Sequence, residues 1–428
     1  MQRRSFLIAA AGATAMRSFG AESKVPVTVI GLGGRGNDHM NFLAKAPEAN
    51  IVGVCDVNQA AREKAVALVE RLTGSKPKAY NDMRRVFEDR DVAAVTMATP
   101  NHWHALGAIW GCQAGKDVYV EKPACHNVFE GRKMIEAAAK YNRIVQVGSQ
   151  GRSLEFRRQA IAELHGGVLG KLYMAKGLCF KRRVSIGKAA TEPVPLGIDW
   201  DTFLGPAPMR PFTWNRFRYN WHWFWDTGNG DIGNQGAHEM DFARWAMGKD
   251  LPTTVVSTGG KYAYDDEQET PNTQLATYSY GDSEIVFEVR GLPTQPEENV
   301  MVGDLVYGVD GMMAVDATGY RIYRPDANAP GKMVLEKTVA APPSGGGDTV
   351  PHFSNFLQAV QSRRKEDLHV PVEEGVKSAT LCHLANASYR VGRSLKFDPA
   401  AWTHPGDAEA NALLTRKYRV PYVVPQKV

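Results

Sequence analysis

The chain has 428 residues and a formal net charge of +5, because 51 Lys and Arg residues are nearly balanced by 46 Asp and Glu residues. No stripe of basic residues alternates with aromatic ones, which argues against nucleic acid as a partner. A hydrophobic content of 43% is ordinary for a globular protein, and a length of roughly 400 residues after the N-terminal segment predicts two domains.

The N-terminal segment has the pattern of an export signal. Arg3 and Arg4 stand before an apolar run from Ile8 to Ala15. This pattern is typical of a twin-arginine signal. We therefore expect residues 1–21 to be a signal read by the twin-arginine (Tat) export machinery, and the mature protein to be periplasmic or otherwise exported. No later apolar run reaches about 18 residues, so no membrane span is predicted.

Residues 22–150 alternate between apolar strands and amphipathic helices. This alternation predicts an α/β domain with a doubly wound parallel sheet, the Rossmann architecture. Strands are predicted at 25–30, 51–56, 92–98, 118–120 and 144–147, and helices at 60–72, 104–115 and 128–141.

Residues 151–398 show longer alternating stretches with Gly-rich turns, which predict an α+β domain with a large, mostly antiparallel sheet. Strands are expected at 172–180, 253–257, 274–280, 284–290, 312–316 and 320–324, and helices at 239–247, 352–361 and 373–393. Residues 399–428 are expected to form an extended tail on the surface of the body.

A glycine-rich loop follows the first predicted strand and has the spacing G-x-G-x-x-G. In such a loop the first glycine allows a tight turn, the second lets the backbone approach a pyrophosphate, and the third lets helix and strand pack closely. Asp56 ends the second strand, where a carboxylate accepts hydrogen bonds from ribose hydroxyls and disfavours a 2′-phosphate. NAD is therefore the expected cofactor, although Arg35 could weaken that preference. The loop residues are Gly31, Leu32, Gly33, Gly34, Arg35 and Gly36.

A second motif, Glu121-Lys122-Pro123, follows another predicted strand, and Thr99-Pro100-Asn101 follows the strand before it. Together with the glycine loop, these motifs resemble the Gfo/Idh/MocA family of sugar and polyol oxidoreductases. The resemblance implies that Lys122 points at the nicotinamide and at the reacting hydroxyl, where it polarises the substrate oxygen or helps to move its proton. It also implies cofactor-binding roles for Thr99, Pro100, Asn101, His104, Glu121 and Lys122. The alternative for Lys122 is a surface lysine paired with Glu121.

The third motif is a glycine-rich stretch that ends in Asn234-Gln-Gly-Ala-His238-Glu-Met-Asp241. The family pattern has Asp-x-Gly-x-His-x-x-Asp, so Asn234 stands where the family has an aspartate. His238 is the expected proton acceptor, because the pKa of histidine lies near neutrality. Asn234 can orient a hydroxyl but cannot act as a base, and Asp231 could compensate. Alternatively, His238 is a structural residue, and Asp241 is expected to be structural, pairing with Arg244.

A dense aromatic segment, residues 214–226, precedes this motif. Aromatic faces cover apolar sugar faces, so Tyr219, Trp221 and Trp223 are candidate substrate-binding residues beside Asn234 and His238. Core packing or a subunit interface is the alternative. His102 and His104 could suggest a metal pair, but no third ligand follows in the sequence, so no metal site is predicted. The basic residues 181–183 follow a strand of the second domain; they are expected to lie on a solvated edge, and the alternative is that one of them reaches the substrate.

These features predict an exported NAD-dependent sugar or polyol oxidoreductase that transfers a hydride and retains its cofactor. One alternative is a redox-neutral NAD-dependent glycosidase or lyase that works through a transient keto-sugar. Another is a non-catalytic sugar-binding protein on the same scaffold. Five scattered cysteines without a C-x-x-C pair predict no disulfide framework. By analogy with the family, a homo-oligomer, either dimer or tetramer, is expected.

Overall fold

A computed structural model describes residues 23–343 and 349–428 of the chain. The predicted signal, residues 1–21, lies outside the described residues. Two sheets organise the rest, one with six strands and one with nine. None of the helices in the described ranges combines the length and apolar character that a membrane crossing requires.

The first sheet is entirely parallel, with the strand order β3-β2-β1-β4-β5-β6. This order reverses beside β1, which is the doubly wound arrangement that places ligands at the carboxyl ends of the strands. The sequence analysis missed β3, which is a short edge strand with two exposed residues and no apolar run. The strands are β1 Val25–Ile30, β2 Ala49–Cys55, β3 Lys78–Tyr80, β4 Ala94–Met97, β5 Asp117–Glu121 and β6 Val145–Gly148.

Helices cover both faces of this sheet. The prediction for α4 was wrong at its start, since the helix begins at Asn101 rather than His104. Pro100 occupies the position before the helix, where its fixed φ angle and missing N–H cost nothing. The helices are α1 Gly34–Lys45, α2 Gln59–Thr73, α3 Met83–Glu88, α4 Asn101–Gln113 and α5 Val128–Lys140.

The second sheet has the order β14-β13-β12-β11-β7-β10-β9-β8-β15 and is antiparallel except where β7 pairs with β10. This confirms the predicted fold class. Strands β11 and β14 were not predicted, because Gly303 and Asp304 interrupt the apolar pattern of the first and the second is an exposed edge strand. The strands are β7 Leu172–Cys179, β8 Thr254–Gly260, β9 Thr273–Ser279, β10 Glu284–Arg290, β11 Val302–Gly308, β12 Gly311–Asp316, β13 Gly319–Pro325, β14 Met333–Ala340 and β15 Leu395–Lys396.

One face of the second sheet is covered by helices, and α12 belongs to both halves of the molecule. Val376 in its first half lies in the apolar core of the first sheet, whereas Leu384 in its second half lies in the core of the second. Within 23–343 and 349–428, short 3-10 turns lie at 150–153, 219–223 and 365–367. The helices are α6 Glu155–His165, α7 Trp200–Leu204, α8 Trp214–Phe217, α9 Gly230–Asn234, α10 Gly236–Met247, α11 Val350–Ser362, α12 Val372–Val391 and α13 Ala408–Ala412.

The last 30 residues contain helix α13 and then a segment without regular structure. Tyr422 is buried and meets the indole ring of Trp103 edge to face, with ring centroids 5.4 Å apart. Leu414 accepts a backbone hydrogen bond from Phe129. These contacts attach the end of the chain to the first domain.

Candidate active site

The glycine loop joins β1 to α1 and has the shape that a dinucleotide requires. Gly31 has a φ angle of +85°, and a Cβ atom there would lie 2.7 Å from the backbone of Ala98. A Cβ on Gly36 would lie 1.9 Å from the carbonyl oxygen of Gly31, so this residue sets the close approach of helix and strand. Gly33 and Gly34 instead face open space. The first turn of α1 therefore presents its backbone N–H groups to a space that no side chain fills. A pyrophosphate fits this space.

Asp56 lies directly beside this loop at the end of β2. Its carboxylate accepts hydrogen bonds from the backbone N–H of Leu32 at 2.7 Å and from that of Asn58 at 2.8 Å. Burial raises the pKa of Asp56, and these backbone donors counteract the effect. The carboxylate is therefore fixed at the place where the Rossmann architecture positions the adenosine ribose.

Arg35 does not approach Asp56, because it forms an ion pair with Glu121 at 2.8 Å. Glu121 is buried, and it also contacts Nε2 of His39 at 3.1 Å and accepts a hydrogen bond from Gln150 at 3.0 Å. Burial acts to raise the pKa of Glu121, but the charge of Arg35 and the contact with His39 hold it well below its usual range. An arginine neutralised in this way is not available to a 2′-phosphate, which agrees with NAD as the cofactor.

The segment after β4 supports the Glu121-Lys122-Pro123 turn. The ring nitrogens of His104 contact the carbonyl oxygens of Pro123 at 2.7 Å and Thr99 at 2.8 Å, so this histidine joins the two loops. Asn101 is buried and donates to the side-chain oxygen of Asn229 at 3.1 Å. Pro100 precedes α4. The structure therefore places His104 and Asn101 in the walls of the site.

The possible metal pair has other contacts. His102 directs its ring nitrogens at the backbone carbonyls of Phe203, at 2.9 Å, and Thr227, at 3.3 Å. Both nitrogens of His104 are engaged as described above. In the ranges 23–343 and 349–428, no group of three or more His, Cys, Asp or Glu side chains is placed to hold a metal ion. The two histidines connect elements of the fold.

Lys122 lies at the carboxyl end of β5 and is partly buried. Its Nζ atom donates a hydrogen bond to the carbonyl oxygen of Asn234 at 2.7 Å. The alternative ion pair with Glu121 does not form, since that carboxylate is engaged by Arg35. Burial lowers the pKa of Lys122, while the nearby Glu121 charge opposes the shift. The ammonium group thus faces the second domain.

Asn234 ends α9, and His238 lies in the first turn of α10. The amide of Asn234 donates to the hydroxyl of Tyr219 at 3.0 Å. The imidazole of His238 has no hydrogen-bond partner among the described residues and is partly buried. Burial and the charge of Lys122 hold its pKa well below 6.5, so the ring is neutral at physiological pH. The structure therefore brings Lys122, Asn234 and His238 together.

Two aspartates of the third motif are engaged elsewhere. Asp231, which could have compensated for Asn234, is buried and forms a two-pronged ion pair with Arg183 at 2.6 and 2.8 Å. Asp241 pairs with Arg152 at 2.9 Å rather than with Arg244, so that prediction was wrong. Arg152 reaches Asp241 from a turn 89 residues away along the chain, a contact that sequence spacing does not reveal.

The aromatic segment divides between rim and core. Tyr219 is 53% exposed and lies at the rim, in contact with Asn234. Trp221 stacks on the imidazole of His222, with ring centroids 3.6 Å apart. Trp223 is only 4% exposed and lies beneath the guanidinium of Arg183 at 5.2 Å. The structure places Tyr219 where it can meet a ligand, whereas Trp223 is a core residue.

The basic residues after β7 contribute more than the sequence predicted. Lys181 donates to the side-chain oxygen of Gln235, and Gln235 donates to Glu239 at 2.9 Å. Arg183 neutralises Asp231 as described. The prediction of a solvated edge was therefore wrong for Lys181 and Arg183. The available signal was their position directly after β7, a central strand of the second sheet.

Two family profiles match consecutive parts of the chain. Residues 25–149 match the NAD-binding Rossmann fold of the oxidoreductase family, and residues 171–424 match its C-terminal alpha/beta domain. The chain belongs to the Gfo/Idh/MocA oxidoreductase family. The first of these matches identifies the domain around the glycine loop as an NAD-binding domain.

Among curated members of the Gfo/Idh/MocA family, levoglucosan dehydrogenase of Pseudarthrobacter phenanthrenivorans is 29% identical over 237 residues, covering 54% of each chain. Alpha-N-acetylgalactosaminidase of Shewanella oneidensis is 32% identical over 120 residues, covering 27% of this chain and 26% of that protein. With the first of these, the match spans about half of the relative's length. The curated proteins similar to this chain therefore include a dehydrogenase and a glycosidase.

Solved structures share the fold over most of the chain. The WlbA dehydrogenase from Bordetella pertussis, in complex with NADH and UDP-GlcNAcA, superposes with a TM-score of 0.65 at 19% identity, covering 88% of this chain and 99% of that one. Aldose-aldose oxidoreductase from Caulobacter crescentus gives a TM-score of 0.62 at 17% identity, with coverages of 87% and 100%. At these identities the likeness establishes the fold.

Proposed function

We propose that this protein is an exported NAD-dependent oxidoreductase that acts on a CH–OH group of a sugar or polyol and retains its cofactor. The observation that carries the proposal is the approach of Lys122 to Asn234, with the neutral, unpartnered imidazole of His238 one helical turn further on. This arrangement supplies a cation, an amide and a base at one point beside the NAD-binding loop.

The side chains divide the proton chemistry between them. The ammonium of Lys122 polarises the substrate oxygen, because a positive charge in a partly buried site stabilises negative charge developing there. The neutral imidazole of His238 accepts the hydroxyl proton. Asn234 and the hydroxyl of Tyr219 orient the substrate by hydrogen bonding. NAD, when bound, accepts or supplies the hydride, and the glycine loop with Asp56 holds it.

A strap from the second domain supports tight retention of the cofactor. The strap, residues 197–199, pairs with residues 57–59, the loop that follows Asp56. Gln59 donates its backbone N–H to Gly197 at 2.8 Å, and Asp199 donates to Val57 at 3.1 Å. These bonds tie the second domain to the ribose-binding end of the first. A cofactor with a Kd of about 1 nM and an on-rate near 10⁶ M⁻¹s⁻¹ would leave at about 10⁻³ s⁻¹, so an exported enzyme needs tighter binding than that.

Export is supported by the twin-arginine pattern at Arg3 and Arg4 and by the state of the cysteines. All five cysteines are buried and unpaired. A protein that folds and binds NAD in the cytoplasm before export has no need of disulfides formed outside. Fusing residues 1–30 to a reporter that is active only after export tests this part, with Arg3→Lys/Arg4→Lys as the matched control. Equal reporter activity from both fusions would contradict twin-arginine export.

The first experiment on the enzyme itself is to purify it without added nucleotide, denature it by heat and quantify NAD(H) in the supernatant by mass spectrometry. We expect about one nucleotide per chain, as mass action requires when the Kd is far below the protein concentration. The holoenzyme is then screened with pairs of an oxidisable sugar and a reducible sugar. A chain purified without nucleotide would contradict retention, and a loaded chain without turnover on any sugar would favour the non-catalytic binding role.

A second candidate function is redox-neutral cleavage of a glycoside. The observation that favours it is the amide of Asn234 in place of the family's acid, with Asp231 engaged by Arg183. Transient oxidation of a sugar hydroxyl acidifies the neighbouring C–H bond, so that carbon loses its proton and the glycosidic oxygen leaves by elimination. Water then adds across the resulting double bond, which returns a solvent proton to the same carbon, and the carbonyl is reduced again. Incubation of the holoenzyme with glycosides in deuterated water tests this. Cleavage with deuterium incorporated at the carbon next to the oxidised one supports it, and oxidation without cleavage contradicts it.

We also propose that a second copy of the chain covers the open face of the nine-stranded sheet. Tyr173, Val256 and Leu275 are exposed on its strands, although the other face is buried by helices. Exposed apolar side chains on an uncovered sheet face are typical of a subunit interface. Light scattering should give the mass of a dimer or tetramer, and Leu275→Arg should reduce it. A monomeric wild-type protein would contradict this assignment.

A further inference from the structure

A cavity of about 300 Å³ lies between helix α12 and the C-terminal segment. Its walls come from helix α12, from the loop that leads to α9 and from the C-terminal segment. None of Lys122, Asn234 and His238 lines it. Its size is at the lower end of the range for small-molecule sites, which suits a single sugar ring.

The charged side chains that line this cavity are mostly positive. Arg390, Arg416 and Lys417 line it, and Asp226 is the one carboxylate among its lining residues. Asp226 is already paired with Arg210 at 2.7 Å, outside the cavity lining. The lining therefore carries three cations and one carboxylate that is already paired, a balance that favours an anionic ligand.

Among the described residues, neither Arg390 nor Arg416 forms a direct ion pair with a carboxylate. Arg416 donates to the backbone carbonyls of Asp226 at 3.0 Å and Pro206 at 3.4 Å, and to Nδ1 of His126 at 3.1 Å. None of these acceptors is a charged carboxylate. Arg390 lies over the ring of Trp225 at 5.2 Å, and within the described residues it has no ion pair. Arginine presents a planar set of donors that matches carboxylate and phosphate groups.

The remaining wall can recognise a sugar ring. Trp225 supplies an aromatic surface, and Asn229 and Asn386 supply amides. Asn386 donates to the backbone carbonyl of Asn229 at 3.0 Å. Asn229 in turn accepts a hydrogen bond from Asn101 and directly precedes α9. The cavity therefore shares a wall with the loop that positions Asn234.

We propose that this cavity binds an anionic monosaccharide, with its carboxylate or phosphate among Arg390, Arg416 and Lys417 and its ring against Trp225. The ligand joins the C-terminal segment to α12 and to the loop before α9. Because this loop supports the candidate active site, the bound sugar stabilises the end of the chain and the start of α9 together. The site is independent of the proposed reaction, and its occupancy does not require turnover.

Calorimetric titration of the NAD-loaded protein tests the proposal, with glucuronate, glucose 6-phosphate, inorganic phosphate and glucose as probes. Each titration is repeated in Lys122→Met, which disables the candidate active site and leaves the cavity unchanged. We expect glucuronate or glucose 6-phosphate to bind equally well to both proteins and more tightly than phosphate or glucose. The ratio of the two sugar affinities shows which anionic group the cavity prefers.

Arg390→Gln should weaken binding of the sugar anion by roughly 10-fold to 100-fold, since a charged hydrogen bond is lost. Lys417→Gln is the second variant, because its side chain is exposed and its loss does not threaten folding. Arg71→Gln, an exposed arginine of α2, is the matched control and should bind as the wild type does. The proposal is overturned if no sugar anion binds, if glucose binds as tightly as glucuronate, or if both cavity variants keep wild-type affinity.

Discussion

The ammonium of Lys122 and the backbone carbonyl of Asn234 are joined by a hydrogen bond of 2.7 Å that crosses from the first sheet to α9 of the second domain. The bond fixes the distance between the two domains at the point where the proposed chemistry takes place. It also leaves the ammonium close enough to His238 to lower the pKa of the imidazole.

Replacing Lys122 by methionine should therefore raise the pKa of His238. Burial and the charge of Lys122 both hold this pKa below 6.5, so the imidazole loses protons at lower pH than an ordinary histidine, and removing the charge moves its titration to higher pH. Nitrogen NMR of the histidine ring measures the shift without a substrate. Lys64→Met, at an exposed position of α2, is the control and should leave the titration unchanged. An unaltered His238 titration in Lys122→Met would contradict the coupling.

The lowered pKa of His238 also determines how the rate of oxidation depends on pH under acidic conditions. A base that stays neutral below pH 6.5 keeps kcat/KM for oxidation constant as pH falls through 6.5, and the rate decreases only at more acidic pH. Loss of the base in His238→Ala should reduce kcat by roughly 10²-fold to 10⁴-fold. Initial rates are measured across the pH range with the best substrate from the screen. They give the pH dependence of kcat/KM for the wild type and the kcat of His238→Ala. An acid limb centred near 6.5 would assign the base to another group.

Asn234→Asp restores the residue that the family pattern has at this position. The new carboxylate would lie close to Asp231, whose Oδ1 atom is 3.5 Å from the amide nitrogen of Asn234. A negative charge near the imidazole favours its protonated form, so the pKa of His238 should rise. If Asn234 directs the enzyme toward redox-neutral cleavage, the variant should gain net sugar oxidation relative to cleavage. The ratio of NADH formed to glycoside cleaved is the readout, and an unchanged ratio would show that Asn234 does not control the outcome.

Two glycine substitutions separate cofactor binding from folding. A Cβ on Gly33 meets no protein atom within 4 Å, so Gly33→Ala should fold normally. Its methyl group occupies the pyrophosphate cradle, and NAD affinity should fall at least about tenfold. Gly36→Ala places a Cβ 1.9 Å from the carbonyl oxygen of Gly31 and should destabilise the fold by about 1–3 kcal/mol. Thermal melting and NAD content distinguish the two, and normal NAD retention by Gly33→Ala would contradict the cradle.

Arg183→Met tests the buried ion pair under the site. Asp231 is 2% exposed, so removing Arg183 leaves an uncompensated charge in a dry environment. The free energy of unfolding should fall by about 3–5 kcal/mol. Arg182→Met, at the neighbouring exposed position, is the control and should change it by no more than about 0.5 kcal/mol. Adding Asp231→Asn to Arg183→Met should recover part of the lost stability. Equal melting temperatures of Arg183→Met and Arg182→Met would contradict the assignment.

The features that the sequence predicted well are those encoded locally. The span of β1, the turn at Gly31 and the position of Asp56 follow from short apolar runs and from glycines at fixed spacing. The burial of Trp223 and the pairing of Arg183 with Asp231 depend on how the segment after β7 packs against residues 219–234. Such contacts join residues far apart in the chain, and no local pattern specifies them.

The prediction of α4 shows the same limit within one element. Asn101 and His102 are polar, so the spacing of apolar residues predicted a helix that begins after them. Both are buried because their partners, Asn229 and the carbonyl of Phe203, come from the other domain. Polar residues that are satisfied across a domain boundary look like loop residues in the sequence.

Helix α12 has a consequence for how the molecule moves and unfolds. Its first half belongs to one core and its second half to the other, so the two domains cannot rotate apart without tearing a continuous helix from one of them. A hinge between the domains is thereby blocked. Denaturant should therefore melt both sheets in a single cooperative transition, and neither half should be a stable protein when expressed alone.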